Sequence, residues 1–341
     1  MTLLLSLLLS TVLLNPQATE NIDQKSSIFD IIYREGEVKL EIETDLALLE
    51  RNKNTENYQP ATIKFKDVEG NKQQWNVEVR PRGRFRRRVC NFPPIKMKFD
   101  KDELKEQDYK KHNELKLVTH CLRDAEGKEN LLREFLVYQL YEKISPVHYR
   151  TQLVRIKYID QNTGKKKNRY GILMEDENEL AARFDTDLCE DCYSRNKDNF
   201  YKENLLAVEL FQYMIGNSDW SIPMVRNIKL LEDEKTEEEK FYVVPYDFDF
   251  SGLVNASYAI PSSSQGLTSV RDRVFLGFEM SEEELQVAAQ PFREKRAEIM
   301  ETVDSFQYLS RSSRNDIKAY LSSFYDQLEK GTIFGEVEDE E

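Results

Sequence analysis

The chain has 341 residues, 40% of them apolar and 33% charged, with a formal net charge of −13. Its size and apolar content allow one large domain or two lobes around a sizeable core. The acidic balance weighs against a general nucleic-acid binder, which is basic as a rule, and no interior segment reaches the roughly 18 apolar residues of a membrane span.

The N-terminus, MTLLLSLLLSTVLLNPQATE, is an apolar run closing before Pro16 and Ala18. It reads as a secretory signal peptide over residues 1–18. The mature chain is therefore expected to be exported (periplasmic, cell-surface or extracellular), with no integral membrane span after signal removal. Four cysteines, Cys90, Cys121, Cys189 and Cys192, make an even set. In an exported chain that set reads as disulfides. Cys189 and Cys192 form a C-x-x-C that can close on itself. Free thiols and zinc remain alternatives, although the Cys90-to-Cys121 spacing is unlike a zinc ribbon's.

Alternating apolar residues around a glycine turn predict β-hairpins over residues 27–46, turning at Gly36, and around Gly70-Asn71. A short helix or loop lies between them. Arginines then concentrate at Arg80, Arg82, Arg84, Arg86, Arg87 and Arg88. On an extended strand the first four share a face, and Gly83 allows close backbone approach. The plain reading is a solvated basic strand. The sharper one is a loop around Arg82 that faces phosphate, because guanidinium binds phosphate as a bidentate fork. Nucleic acid fits less well, since no series of stacking aromatics accompanies the arginines.

IKMKF predicts a strand with Lys96 and Lys98 on one face, and a strand lysine is how kinases hold nucleotide phosphates. ELKLVTHC is a further strand ending at His120-Cys121. With His112, His120 and His148 as the whole histidine complement, a His-rich metal site is excluded, and His120 reads as a local hydrogen-bonding residue. Residues 127–145 predict an amphipathic helix. Its Glu134 lies off the apolar stripe, either paired with Lys96 or solvated. Residues 151–178 predict a hairpin turning at Asn162-Thr163-Gly164, with Glu175 just past the returning strand.

An apolar helix is predicted over residues 202–216, with Gly216 as its stop, delivering Asn217, Ser218, Asp219 and Trp220. Asn227 opens the next strand pattern, EDEKTEEEK is a charged turn, and FYVVPYDFDF is a strand ending in Asp247 and Asp249. Beyond Ser251 come a small-residue loop, two helical stretches with a break at Pro291, and an acidic tail over residues 336–341.

Taken in order, a strand lysine, a helix glutamate, an aspartate loop with a downstream asparagine and an Asp-Phe-Asp strand end match the parts of phosphoryl transfer. Lysine neutralises phosphates, one aspartate orients the attacking hydroxyl, and an asparagine with a second aspartate holds divalent metal. Carboxylate and amide oxygens suit Mg²⁺ or Mn²⁺. The plainer alternative makes Asp219 and Asp247 loop and turn caps.

The segments RGRFRRRVCNFPPIKMKF, LLREFLVYQLYEKIS, YGILMEDE, GNSDWS with the following RN, and VVPYDFDFSG together resemble the spore-coat protein H (CotH) kinase-like family. The resemblance implies an α+β, two-lobed atypical protein-kinase-like fold. Its antiparallel β-rich N-lobe with one helix would span residues 19–180 and its mostly helical C-lobe residues 181–335. It further implies transfer of the ATP γ-phosphoryl group to a Ser, Thr or Tyr hydroxyl of a protein substrate. Motif by motif, it implies Asp219 as the catalytic aspartate, Asn227 and Asp247 as metal ligands, Lys96 as the nucleotide lysine and Glu175 near the adenine pocket. Asp249 joins the expected metal ligands, and Arg82 and Glu134 the expected nucleotide-binding residues. The chain departs from the family in its arginine-rich loop and in Pro93-Pro94, where many members carry paired lysines; Lys98 and Lys116 are therefore alternatives to Lys96. A catalytically inactive kinase-like binding or envelope protein, and adenylyl transfer, are the alternative functions. A monomer is expected.

Overall fold

Residues 25–83 and 85–334 are described by the computed structural model. The signal-peptide reading, Arg84 and the acidic tail fall outside the described residues. The first half of the chain is strand-rich. β1 (Val38–Thr44) leads through α1 (Leu46–Arg51) to β2 (Gln59–Lys66) and β3 (Lys72–Pro81). A single turn, α2 (Arg86–Val89), precedes β4 (Ile95–Phe99), α3 (Lys101–Glu106) and β5 (Glu114–Thr119). Then come α4 (Ala125–Ile144), β6 (Thr151–Asp160) and β7 (Lys166–Met174).

These seven strands close into a barrel in the order β1-β2-β3-β4-β5-β7-β6. Each adjacent pair is antiparallel except the closing one: β1 runs parallel to β6, from Val38 opposite Val154 to Thr44 opposite Asp160. The strands alternate as the period of two requires. In β4, Ile95, Met97 and Phe99 are buried while Lys96 and Lys98 face outward. Trp75, Phe99, Ile63, Ile156 and their neighbours fill the interior.

This closed barrel corrects the expected two-lobed kinase-like fold with an antiparallel β-rich N-lobe. The physical reason lies at residues 27–34. They do not form a hairpin arm against β1. They wind through turns that bury Ile28, Phe29 and Ile32 in the barrel core. Both edges of β1 are left to pair, one with β2 and the other with β6, and that second pairing closes the sheet. The hairpins expected around Gly70 and Gly164 are present as β2–β3 and β6–β7. Four helices, not one, lie between residues 38 and 174.

The second half comprises α5 (Glu177–Arg183), β8 (Asp187–Cys189), α6 (Lys202–Met214), β9 (Ile228–Glu232), β10 (Phe241–Pro245), α7 (Glu282–Ser305) and α8 (Arg311–Lys330). β8, β9 and β10 form a small antiparallel sheet. α4 is buried on nearly every side, as a helix between two layers must be. It packs against β7 on the barrel and against α6 and α7 on the other side. Pro291, the expected break, lies inside an uninterrupted α7. No described helix is long and apolar enough to cross a membrane.

Candidate functional site

Two loops at the ends of buried elements carry the acidic residues. α6 is almost wholly buried and stops at Gly216, whose φ of +63° is left-handed. A Cβ there would lie 2.0 Å from the Tyr320 hydroxyl, so only glycine fits. The chain beyond is stitched to the segment after β10. Gly252 N–H donates to the Gly216 carbonyl (2.9 Å), and Leu253 N–H to that of Ile215 (3.0 Å). The buried Asn217 side chain accepts the Asp219 N–H at 3.0 Å. Asn227, at φ +53°, donates its amide to both the carbonyl (2.6 Å) and the carboxylate (3.0 Å) of Asp219. Its own carbonyl accepts the Tyr246 N–H at 3.0 Å. Asp247 sits at φ +61°, with its N–H donated to the Tyr138 hydroxyl of α4 at 2.9 Å. Asn227 and Asp247 thus hold a backbone region that non-glycine residues rarely occupy, and such positions cluster at functional sites.

The basic half comes from the segment between β3 and β4. β3 ends at Pro81 and Gly83 turns at φ +80°. The chain then coils into α2 and is tied by the Cys90–Cys121 pair at disulfide distance. β3 therefore stops at Pro81, and Arg86 does not share the expected strand face with Arg80. Arg86 is turned inward and is 7% exposed. Its guanidinium lies 2.8 and 2.9 Å from the two oxygens of Glu134, 3.1 Å from Asp247 and 2.9 Å from Asp249. The Asp249 contact is a close charge pair without a well-aligned hydrogen bond, which leaves Oδ2 of that buried carboxylate without a directed donor. Arg82, Gly83 and Phe85 join Asp219, Asp247, Asp249 and Phe250 around a cavity of about 50 Å³.

One buried guanidinium faces three carboxylates, so the cluster carries surplus negative charge. Burial pushes the Glu134 carboxyl up to about 8, opposed by Arg86 and reinforced by Asp249 and Asp247. Burial likewise pushes Asp249 up to about 6 against the pull of Arg86. These values belong to the cluster as a unit, which holds a proton near neutrality. Asp219 is also raised, by burial first, with Arg226 opposing and Asp247 adding to the shift.

The lysines divide. Lys96 projects from the barrel and pairs with Glu114 at 2.5 Å; Lys98 reaches only Glu78, at 4.0 Å. Lys116, directly across from Lys96 in the β4–β5 register, pairs with Glu177, which also holds Lys229 at 2.9 Å. The Lys116 amine lies 5.8 Å from the Tyr246 ring centroid, beside the Asp247 loop. Burial lowers its pKa to about 8, with Glu177 opposing and Arg82 adding to the fall. Burial alone would raise Glu177, but the two ammonium groups outweigh it and hold the carboxyl at about 2.

Two expected partners are committed elsewhere. Glu134 meets Arg86 rather than Lys96. Glu175 is fully buried, both of its oxygens held by Arg150 and Arg183 at 2.7 to 3.0 Å; it has no oxygen left to offer a nucleotide. Glu177, Lys229 and Tyr246 escaped the sequence reading, which set Arg86 on a strand face. A signal for Arg86 was present in Gly83 and Cys90, a turn former and a tether flanking the arginines.

A divalent metal fits the donor chemistry in part. Asp219, Asp247, Asp249 and the side-chain Oδ1 of Asn227 are hard oxygen donors suited to Mg²⁺ or Mn²⁺, and the surplus negative charge favours a cation. They do not form a closed cage. Among the described residues, the one group of three ligand atoms within 4.8 Å of one another is Cys189, Cys192 and Glu232, and there the two cysteines stand at disulfide distance. An open oxygen set is the ordinary condition for Mg²⁺, which keeps waters and takes substrate phosphates as ligands.

No protein-family model and no curated protein sequence matches this chain.

Proposed function

We propose that this chain is an exported, divalent-metal-dependent phosphotransferase that moves the ATP γ-phosphoryl group to a Ser, Thr or Tyr hydroxyl of a protein. The observation that carries the reading is the convergence of Asp219, Asp247 and Asp249 with Arg82 and Gly83 on one small cleft. The motif resemblance to the CotH kinase-like family supports it without extending to the fold.

Bound Mg²⁺ or Mn²⁺ would supply positive charge against the phosphates, held by Asp247, Asp249 and the side-chain Oδ1 of Asn227. Asp219 is half-buried and braced by Asn227. It accepts the proton of the acceptor hydroxyl as the oxygen–phosphorus bond forms and the bond to the β-phosphate oxygen breaks, releasing ADP. Arg82 and Lys116 add positive charge on the nucleotide side. Arg86 holds the Asp247 and Asp249 carboxylates in place from below, a positioning role.

The test is incubation of the full mature chain with γ-labelled ATP, casein as a generic acceptor, and Mg²⁺ or Mn²⁺. Label on protein with stoichiometric ADP supports the reading. Label from α-labelled ATP identifies adenylyl transfer instead. Nucleotide binding without either product identifies a binding protein, and no binding at all removes ATP as the substrate.

A further inference from the structure

A second polar pocket shares no lining residue with the acidic cleft. It encloses about 240 Å³ between the start of α4 and the β6–β7 hairpin. Its walls carry Arg123, Lys128, Arg155 and Arg169, with His120 at the base and Tyr170 at the side. Such a concentration of cations is unexpected in a chain with a formal charge of −13.

Two of these four cations have no carboxylate partner among the described residues, and the other two hold theirs only loosely. Arg123 reaches Glu50 only at 3.4 Å on the surface, and Arg155 reaches Glu37 only at 4.0 Å. Among the described residues, Lys128 and Arg169 have no carboxylate within 4.0 Å. Asp124 also lines the pocket, but one of its oxygens caps the Gly127 N–H of α4 at 3.1 Å. Tyr170 presents its ring to both Lys128 and Arg155, each 5.4 Å from the centroid.

The base points independently to a ligand. His120 is 7% exposed, and its Nδ1 is buried without a hydrogen-bond partner. It also lines an adjoining cavity of about 30 Å³, shared with Arg123 and Arg169, where the buried Tyr158 hydroxyl likewise has no partner. Unpartnered buried polar groups are costly and call for a bound group or water. The ring is held stacked on Phe92, centroids 5.4 Å apart, and the Cys90–Cys121 pair anchors the next residue. Burial depresses the His120 imidazole to about 4, with Arg169, Arg123 and Lys167 adding to the shift, as a ring among uncompensated cations should be.

We propose that this pocket binds a small phosphate monoester, its dianionic head seated among Arg169, Lys128 and Arg123 over His120 and its organic body against Tyr170. Guanidinium forks suit phosphate oxygens, and the volume admits a phosphate with a small substituent, below the size of an ordinary drug-like site. The inference does not use the acidic cleft and stands whether or not the chain transfers phosphate.

The test is titration of the full mature chain with ribose 5-phosphate, inorganic phosphate and sulfate at low ionic strength. Imidazole NMR signals serve as the readout, since only His112, His120 and His148 contribute. Ribose 5-phosphate is expected to shift the His120 signals saturably and to bind more tightly than either inorganic ion. Arg169→Ala and Lys128→Ala, the first side chain half-buried and the second exposed, should each weaken it about tenfold. Three results overturn the proposal: no saturable His120 shift; a shift unchanged in the Arg169→Ala/Lys128→Ala double variant; or sulfate binding as tightly as the ester, which marks an adventitious ion only.

Discussion

Nη2 of Arg86 lies between both carboxylate oxygens of Glu134, 2.9 and 2.8 Å away, with both side chains nearly free of solvent. The same guanidinium also serves Asp247 and Asp249, so one cation faces three carboxylates beneath the cleft. Removing one partner of a buried pair leaves the other uncompensated and costs about 3–5 kcal/mol. Arg86→Met is expected to lose stability of that order in urea unfolding at neutral pH. Arg86→Lys should recover only part of it, because a single ammonium cannot span three carboxylates as a planar fork does.

Asp219 and Asp247 are half-buried at the cleft and contribute little to the core. Asp219→Asn keeps the shape and the loop but removes the proton acceptor. Turnover should fall by roughly 10²–10⁴-fold with an unchanged unfolding midpoint. Asp247→Asn should also lower turnover strongly, and its residual rate should respond less to added Mn²⁺. Because the Asp219 pKa is raised by burial and the base acts ionised, wild-type activity should fall as pH drops, with its acid limb above the ordinary aspartate value. Wild-type turnover in Asp219→Asn would remove it from the mechanism.

The Cys90–Cys121 pair closes a loop of 31 residues in sequence separation that contains β4, α3 and β5 and begins just after α2. A cross-link of that span restricts the unfolded chain by about 3–4 kcal/mol. The Cys90→Ser/Cys121→Ser double variant should lose stability of that order in urea. It should also loosen the Arg86 turn, seen as faster proteolysis between residues 82 and 92. A double variant as stable as the wild type would show that the pair does not brace this segment.

What the sequence made legible was local. The β2–β3 and β6–β7 hairpins follow from alternation around Gly70 and Gly164. The loop bearing Asp219 follows from an apolar helix that must stop at Gly216. The carboxylates of the cleft were readable for that reason. Closure of the barrel was not, because the parallel pairing of Val38–Thr44 with β6 joins residues over 100 apart, and no local pattern encodes a partner at that distance. Arg86 was misplaced because alternation of Arg80, Arg82, Arg84 and Arg86 imitates a strand face, whereas Gly83 and Cys90 bend the chain and turn the last arginine toward α4. The different surroundings of Lys96 and Lys116 depend on residues of β9 and α5, which only the tertiary structure brings together.

Glu209 offers a test of the core that is independent of the cleft. It lies on α6, 1% exposed. One carboxyl oxygen accepts the Phe278 N–H at 2.8 Å, and the other has no partner. The covering loop approaches so closely that a Cβ at Gly277 would come within 2.6 Å of its carboxyl carbon. Burial pushes its pKa up to about 8, with the Phe278 N–H and Lys197 opposing. A folded-state pKa above the unfolded value means that the native state binds more protons between the two. The contribution is thus fully present below about 4.5 and is lost as pH rises toward 8. Stability should fall across that window by about 1.4 kcal/mol per pH unit from this group. Glu209→Gln keeps a carbonyl oxygen for Phe278 N–H and cannot ionise. Urea unfolding from pH 5 to 8 should therefore show a shallower decline for Glu209→Gln than for the wild type. Parallel curves would mean that Glu209 is ionised in the native state and that its second oxygen is solvated.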